Sequence, residues 1–231
     1  MPVLRSPFRA LAVSATAVGL ALSLTACGVS SASMQPGVAA SVNGTDISVS
    51  DVDQTAISLC KVSVAVGSTT TALSGAYLRD IVVDALVRVQ VVYDVAEENG
   101  LDADAMLEKE LDAAQTQIDA LDYDGDVTDG VVTLVAANNF FTDVLYKVAG
   151  TDTTDERVYL AQWQASHELD INPLYDDVDL AGTLTVREKR NDTSVAVSDT
   201  ATEFLDSLRA EVSGSGDGSV ASSLPNNQRC V

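Results

Sequence analysis

ALSGAYLRDIVVDALVRVQVVYDVAEENG, residues 72 to 100, decides how this chain folds. Ile81, Ala85, Val89, Val92 and Ala96 recur at helical spacing, and Leu78, Val82, Leu86 and Val95 widen the same face. Asp80, Asp84, Arg88, Asp94 and Glu98 keep to a narrow polar stripe, with Asp84 and Arg88 four apart, where opposite charges meet across one turn. The many valines also suit buried strands. Length favours a helix, and so does Asn99-Gly100, because glycine reaches the left-handed conformation of a helix C-terminus without strain. Leu73 to Gly100 then reads as one helix of about seven turns, roughly 40 Å long. So apolar a helix needs cover on several sides. The expected fold is therefore mainly α (α+β): a multi-helix core with a small β element.

Upstream, VAASVNGTDI, residues 38 to 47, reads as a strand, a tight turn at Asn43-Gly44 and a return strand. Ser48 starts a helix, with Asp51 at the capping-box position, and the helix carries Val52, Ile57 and Leu59 towards Gly67. Ser68 to Thr71 is a polar link. Downstream, Asp102 to Leu121 is amphipathic: Met106, Leu107, Leu111, Ala114, Ile118 and Leu121 form its apolar side, and Glu108, Asp112, Gln115 and Asp119 its polar side. A further helix runs from Thr128 to Ala149, with Val131, Leu134, Val135, Asn138, Phe141, Val144, Leu145 and Val148 expected inside. Thr154 to His167 follows, with Tyr159, Leu160 and Trp163. Asp170 to Leu174 reads as extended, as do Leu184–Val186 and Val195–Val197, and Ser198 caps a last short helix over Asp199 to Ala210.

The N-terminus is a targeting segment. Arg5 and Arg9 precede an uncharged apolar run from Ala10 to Leu24, too short for a membrane span of about 20 residues. Leu24-Thr25-Ala26-Cys27 resembles the lipobox of bacterial lipoproteins, which implies lipid on Cys27 and cleavage before it. A start-of-chain anchor, or a secretory signal with a chance cysteine, is the plainer alternative. The expected organisation is a signal peptide over 1–26, a lipidated tether over 27–37, a helical domain over 38–212, and a Gly/Ser-rich tail over 213–231. Cleavage leaves 205 residues (231 less 26), enough for one domain with a sizeable core. The expected location is the extracytoplasmic face of the cell membrane, held there by lipid.

The formal net charge is −21, which disfavours nucleic acid and anionic lipid headgroups as partners. Solubility explains the acidity, and a cationic peptide partner also fits it. Of the three cysteines, lipidation of Cys27 leaves Cys60 and Cys230, and an exported protein usually pairs its last two.

VAASVNGTDISVSDVDQ, residues 38 to 54, resembles the opening of the SurA/PrsA/trigger-factor group of extracytoplasmic foldases. The matching positions are Val42, Asn43, Gly44, Ile47, Ser48 and Val52, with Asn99, Gly100 and Leu101 at the step after the long helix. Ile171-Asn172-Pro173-Leu174-Tyr175 resembles the family's closing strand, with Leu174 where an Arg is usual and Asp176 where a Gly is usual. The resemblance implies a chaperone-like core that binds unfolded or extended polypeptide in an apolar groove. Many relatives insert a parvulin prolyl isomerase domain of about one hundred residues before the closing strand. Here only a few residues separate His167 from Ile171, and the parvulin site needs paired histidines where this chain has one. The resemblance therefore implies no isomerase activity.

Other chemistry finds little support. Asp122, Asp124 and Asp126 have the spacing of an EF-hand loop, but Val127 stands where Gly is needed and Thr133 where a bidentate Glu is needed. No metal and no cofactor is expected. His167 cannot form a multi-histidine zinc site, and there is no G-x-S-x-G elbow or phosphate loop. A Ser/His/Asp triad stays open, since such residues meet only in space; a surface or cap role suits His167 better. Phe140, Phe141, Tyr146, Tyr159 and Trp163 are candidates to line a peptide-binding cradle, although aromatics at helical spacing more often belong to a core. Two further readings remain: an accessory lipoprotein docking on one fixed partner, and a small-ligand binding protein. A chaperone calls for an apolar patch inside a cleft, a docking protein for a flatter one.

Overall fold

The computed structural model describes residues 36–67, 72–150, 153–175, 178, 180, 198–200, 203, 207 and 219–230. Contacts divide the chain after Ala32, and all of the described residues belong to the unit Ser33–Val231. The expected strands at 184–186 and 195–197 lie outside the described residues, and so does most of the helix expected over 199–210.

Strands β1, Val38–Val42, and β2, Thr45–Ser48, form the antiparallel hairpin expected around Asn43-Gly44. Asn43 and Gly44 have φ of 48° and 84°. Both are left-handed, as a two-residue hairpin turn matched to strand twist requires. The far edge of β1 pairs with a third strand, β4 (Leu169–Ile171), with Ala40 opposite Ile171 and Val42 opposite Leu169. The sheet order is β2-β1-β4. The opening motif is thus bonded to a segment about 130 residues later. Ala39, Ala40 and Val42 lie in the core.

Helix α1, Val49–Ala65, starts where the capping signal predicts: the Ser48 hydroxyl accepts from the Asp51 amide at 3.0 Å and donates to the Asp51 carboxylate at 2.8 Å. Helix α2, Gly75–Glu98, is the long one. Ser74, in the two-residue strand β3 (Leu73–Ser74), caps it, accepting from the Tyr77 amide at 3.1 Å. Gly100, at φ 70°, closes it. From Tyr77 to Ala96 no side chain is fully exposed, and Val82, Val87, Val91, Val92 and Val95 have no exposed surface. Magnitudes decide helix over strand here. Each valine forfeits at most about 0.7 kcal/mol of helix propensity, whereas burying one contributes about 1.5–3 kcal/mol. Helices α1, α3 and α4, with the hairpin, supply the cover.

Helix α3, Ala103–Asp119, is capped by Asp102, whose carboxylate accepts from the Ala105 amide at 3.1 Å. Helix α4, Asp129–Ala149, lies against α1, α2 and α3. Val131, Val144 and Leu145 are buried as expected, and Leu134, Phe141 and Val148 pack against the core. Val132, Ala136, Ala137 and Phe140 are buried, whereas Val135 and Asn138 are exposed. At Gly130 a Cβ would overlap the Thr55 side chain, so the start of α4 lies close against α1. The buried Ser58 hydroxyl reinforces this contact by accepting from the Thr128 amide at 3.3 Å. Ile57 and Leu121, also expected inside, are exposed: Ile57 points away from the α2–α4 side of α1, and Leu121 lies past the end of α3. Helix α5, Thr153–Ser166, ends two residues before β4.

The end of the expected tail is ordered. A short helix, Ser219–Ser223, leads to a 3-10 turn, Asn226–Gln228, and to β5, Arg229–Cys230, which pairs antiparallel with β3. Cys230 sits opposite Leu73, and its sulfur is 2.13 Å from that of Cys60 on α1, with the Cα atoms 5.5 Å apart. This twelve-residue clasp covers the corner where α1, β3 and α2 meet. Composition hid it, because polar side chains here bond within the segment: the Ser223 hydroxyl donates to the Val220 carbonyl at 2.7 Å, and Arg229 donates to the Asn226 side-chain oxygen at 2.7 Å.

Candidate functional site

The motif residues meet at one joint. The Asn43 side-chain amide donates to Asp94 on α2 at 2.7 Å, and its carbonyl oxygen accepts from the Glu168 amide at 3.2 Å. The Asn43 backbone amide donates to the Glu168 carbonyl at 2.9 Å. Asp94 is held in turn by Gln90, at 2.7 Å. Asn172 makes a second joint. Its backbone amide donates to the Ala39 carbonyl and its side chain to the Val38 carbonyl, both at 2.9 Å, while its side-chain oxygen accepts from the Leu174 amide at 3.1 Å. Leu174 itself is 80 % exposed, so replacing the usual Arg leaves this joint intact. Asp176 lies outside the described residues.

The last turn of α2 is clamped to α5. Glu98 accepts from the Trp163 indole at 3.1 Å and faces His167 Nε2 at 2.9 Å. The His167 ring stacks on Trp163 with centroids 4.1 Å apart and planes 7° from parallel. Ser166 lies beside it, with Oγ 3.1 Å from Nδ1, so serine, histidine and a carboxylate do converge. They do not form a nucleophilic site. Nδ1 lies 2.7 Å from the Trp163 carbonyl and Nε2 2.9 Å from Glu98, so both ring nitrogens are engaged by the helix ends. The Ser166 hydroxyl is directed at the Gln162 and Trp163 carbonyls. This is a helix C-terminus satisfying its own carbonyls.

The five candidate aromatics do not share a surface. Phe140 and Trp163 are buried, 0 % and 4 % exposed, because α4 and α5 turn them onto α2. Neither lines an open cradle. Phe141 is half-buried under the Arg88 guanidinium, 5.4 Å from its ring centroid. Tyr159 accepts from the Asn99 side chain at 2.9 Å. Tyr146 is 59 % exposed. What the structure offers instead is a shallow groove of about 240 Å³ between the end of α4 and α5, lined by Ala149, Asp155, Val158, Tyr159 and Gln162. Val158 is half exposed, and Tyr146 stands one turn before Ala149. Sequence reasoning missed Val158, because an isolated valine on a polar helix carries no periodic signal.

The aspartate loop after α3 is solvated, and among the described residues no three His, Cys, Asp or Glu side chains are grouped to hold a metal. Perturbed ionisation lies elsewhere. The Tyr93 phenol donates to Asp104 at 2.6 Å, and this bond, with lesser contributions from burial and the surrounding carboxylates, pushes its pKa up to about 12. Burial raises Tyr175, helped by the charge of Asp53. Lys109 is raised by its bonds to the buried Glu110, at 2.7 Å, and to Asp143, at 3.2 Å.

Residues 1–146 match the SurA-like N-terminal domain. The chain belongs to that family. No curated protein and no solved structure matches it. The SurA-like match ends near the C-terminus of α4, so α5, β4 and the clasp lie beyond it. Those later elements nevertheless bond to the matched part, β4 by pairing with β1 and β5 by pairing with β3. Membership places the chain among chaperone-like, foldase-related proteins whose N-terminal domain is a non-catalytic module.

Proposed function

We propose that this protein is a membrane-anchored, extracytoplasmic chaperone-like lipoprotein that binds unfolded or extended polypeptide and has no prolyl isomerase activity. Membership of the SurA-like N-terminal family carries the reading. In it, 1–26 is a cleaved signal peptide, Cys27 carries lipid, and 27–37 tethers the domain to the membrane. Acyl chains suit this role, since each buried CH₂ contributes about 0.8 kcal/mol to membrane binding. A client segment would lie along the α4–α5 groove against Val158, Tyr159 and Tyr146, held by apolar contact rather than by a reacting group. The acidic surface favours cationic segments. The absence of isomerase activity is supported by the two-residue step from α5 to β4, where relatives insert the parvulin domain.

One observation favours the second reading, docking on a single fixed envelope partner. The groove is shallow and small, and the exposed Ile57 and Val64 on α1, Leu121 past α3 and Val135 on α4 are not among its lining residues. Light scattering from an aggregating client, run beside a proline-limited refolding reaction, separates the readings. Suppressed aggregation with unchanged refolding is expected. No effect on aggregation at several-fold molar excess selects the fixed partner, and faster refolding overturns the non-catalytic reading.

A further inference from the structure

We propose that the C-terminal clasp, Ser219–Cys230, is a latch that a dithiol reductant opens while the helical core stays folded. The geometry points to this through what holds the clasp in place. Of its twelve residues only Ala221 and Cys230 are buried, at 1 % and 2 % exposed. Val220 and Leu224 are half covered, and the others are polar or proline and largely at the surface. Several of its hydrogen bonds are internal: Leu224 to Ala221, Gln228 to Pro225, Ser223 to Val220, and Arg229 to Ser222 and Asn226. Its sheet pairing to the body spans two residues. So short an apolar footprint is weak against the entropy of ordering twelve residues. The covalent link compensates by keeping the segment at high effective concentration beside its seat.

The two ends of the link differ in access. Cys230 is enclosed, whereas Cys60 on α1 is partly exposed. A reductant thiolate attacks the Cys60 sulfur. The bond to Cys230 breaks, and Cys230 leaves as a thiolate that takes a proton. The reductant's second thiolate then resolves the mixed disulfide and releases Cys60. Two electrons and two protons pass to the protein, and the dithiol becomes a disulfide. Without the link, β5 leaves β3, and the backbone of Leu73 and Ser74 becomes an unpaired strand edge of the kind that accepts an extended chain. The core lacks this dependence: α2 is enclosed by α1, α3, α4 and the hairpin, none of which passes through the clasp.

The test is amide hydrogen exchange on the full chain carrying Cys27→Ser, so that only Cys60 and Cys230 react. The oxidised protein, the same protein in dithiothreitol, and a Cys230→Ser variant are compared at one pH. Expected is exchange more than about tenfold faster across 73–75 and 219–230 in the reduced and variant forms, with Val82 to Val95 unchanged. Unchanged exchange in the clasp overturns the latch. Equal acceleration across α2 overturns it as well, because the bond is then a staple for the whole fold. Neither outcome depends on polypeptide binding.

Discussion

Asn43 is the position at which one atom-level change discriminates most between explanations. It stands in the left-handed region, joins the hairpin to α2 through Asp94, and joins it to β4 through Glu168. Three substitutions separate these roles. Asn43→Gly keeps the backbone conformation and loses both side-chain bonds, at about 0.5–1.5 kcal/mol each, so a loss of about 1–3 kcal/mol is expected. Asn43→Ala loses the same bonds and adds about 1 kcal/mol, because alanine is strained at positive φ. Asn43→Asp keeps the φ tolerance and the bond from the Glu168 amide, but it sets a carboxylate where the amide donor now meets Asp94 at 2.7 Å. Two like charges at that separation in a solvated site repel by about 1–1.5 kcal/mol, added to the lost donor. The expected order at pH 7 is therefore Asn43, then Gly, then Ala, with Asp close to Gly because it keeps one of the two bonds. Lowering the pH through the carboxylate range should raise Asn43→Asp above Gly, since protonation removes the repulsion and restores a donor. Urea unfolding at constant m-value gives the order. An alanine variant at least as stable as glycine, or an aspartate variant that gains nothing on glycine as the pH falls, would refute the joint as described.

Phe140→Ala should cost about 3–5 kcal/mol in chemical unfolding, whereas Tyr146→Ala should leave stability nearly unchanged and weaken client binding, because the first ring is enclosed and the second stands in solvent. Cys60→Ser should release the clasp and shift the denaturant midpoint of the helical core only slightly, well short of the roughly 5 kcal/mol that chain entropy allows for a separation of 170 residues. Alkaline titration should lower stability above pH 10: Tyr93 and Tyr175 hold their protons more tightly folded than unfolded, so the unfolded state loses them first. Tyr93→Phe should remove its share of that slope. Mass spectrometry of the membrane fraction should find lipid on Cys27 and lose it in Cys27→Ser; an unmodified chain beginning elsewhere sinks the anchor.

Much of this fold is local and was therefore legible. Asn43-Gly44 set a two-residue hairpin because both residues tolerate positive φ. Ser48 and Asp102 started helices because their side chains reach amides three residues on. The apolar positions from Leu78 to Ala96, broken only by a narrow polar stripe, required a helix covered on several sides. Other features depended on distant groups, which no periodicity encodes. Packing of α4 against α1, α2 and α3, close to Thr55 at Gly130, decided that Phe140 is core and Val135 is surface. His167 and Trp163 became a clamp only because Glu98 ends α2 beside them. A polar, serine-rich terminus became a clasp because Cys60 lies within reach of Cys230, and a covalent link can order a segment whose own side chains bury too little surface to do so.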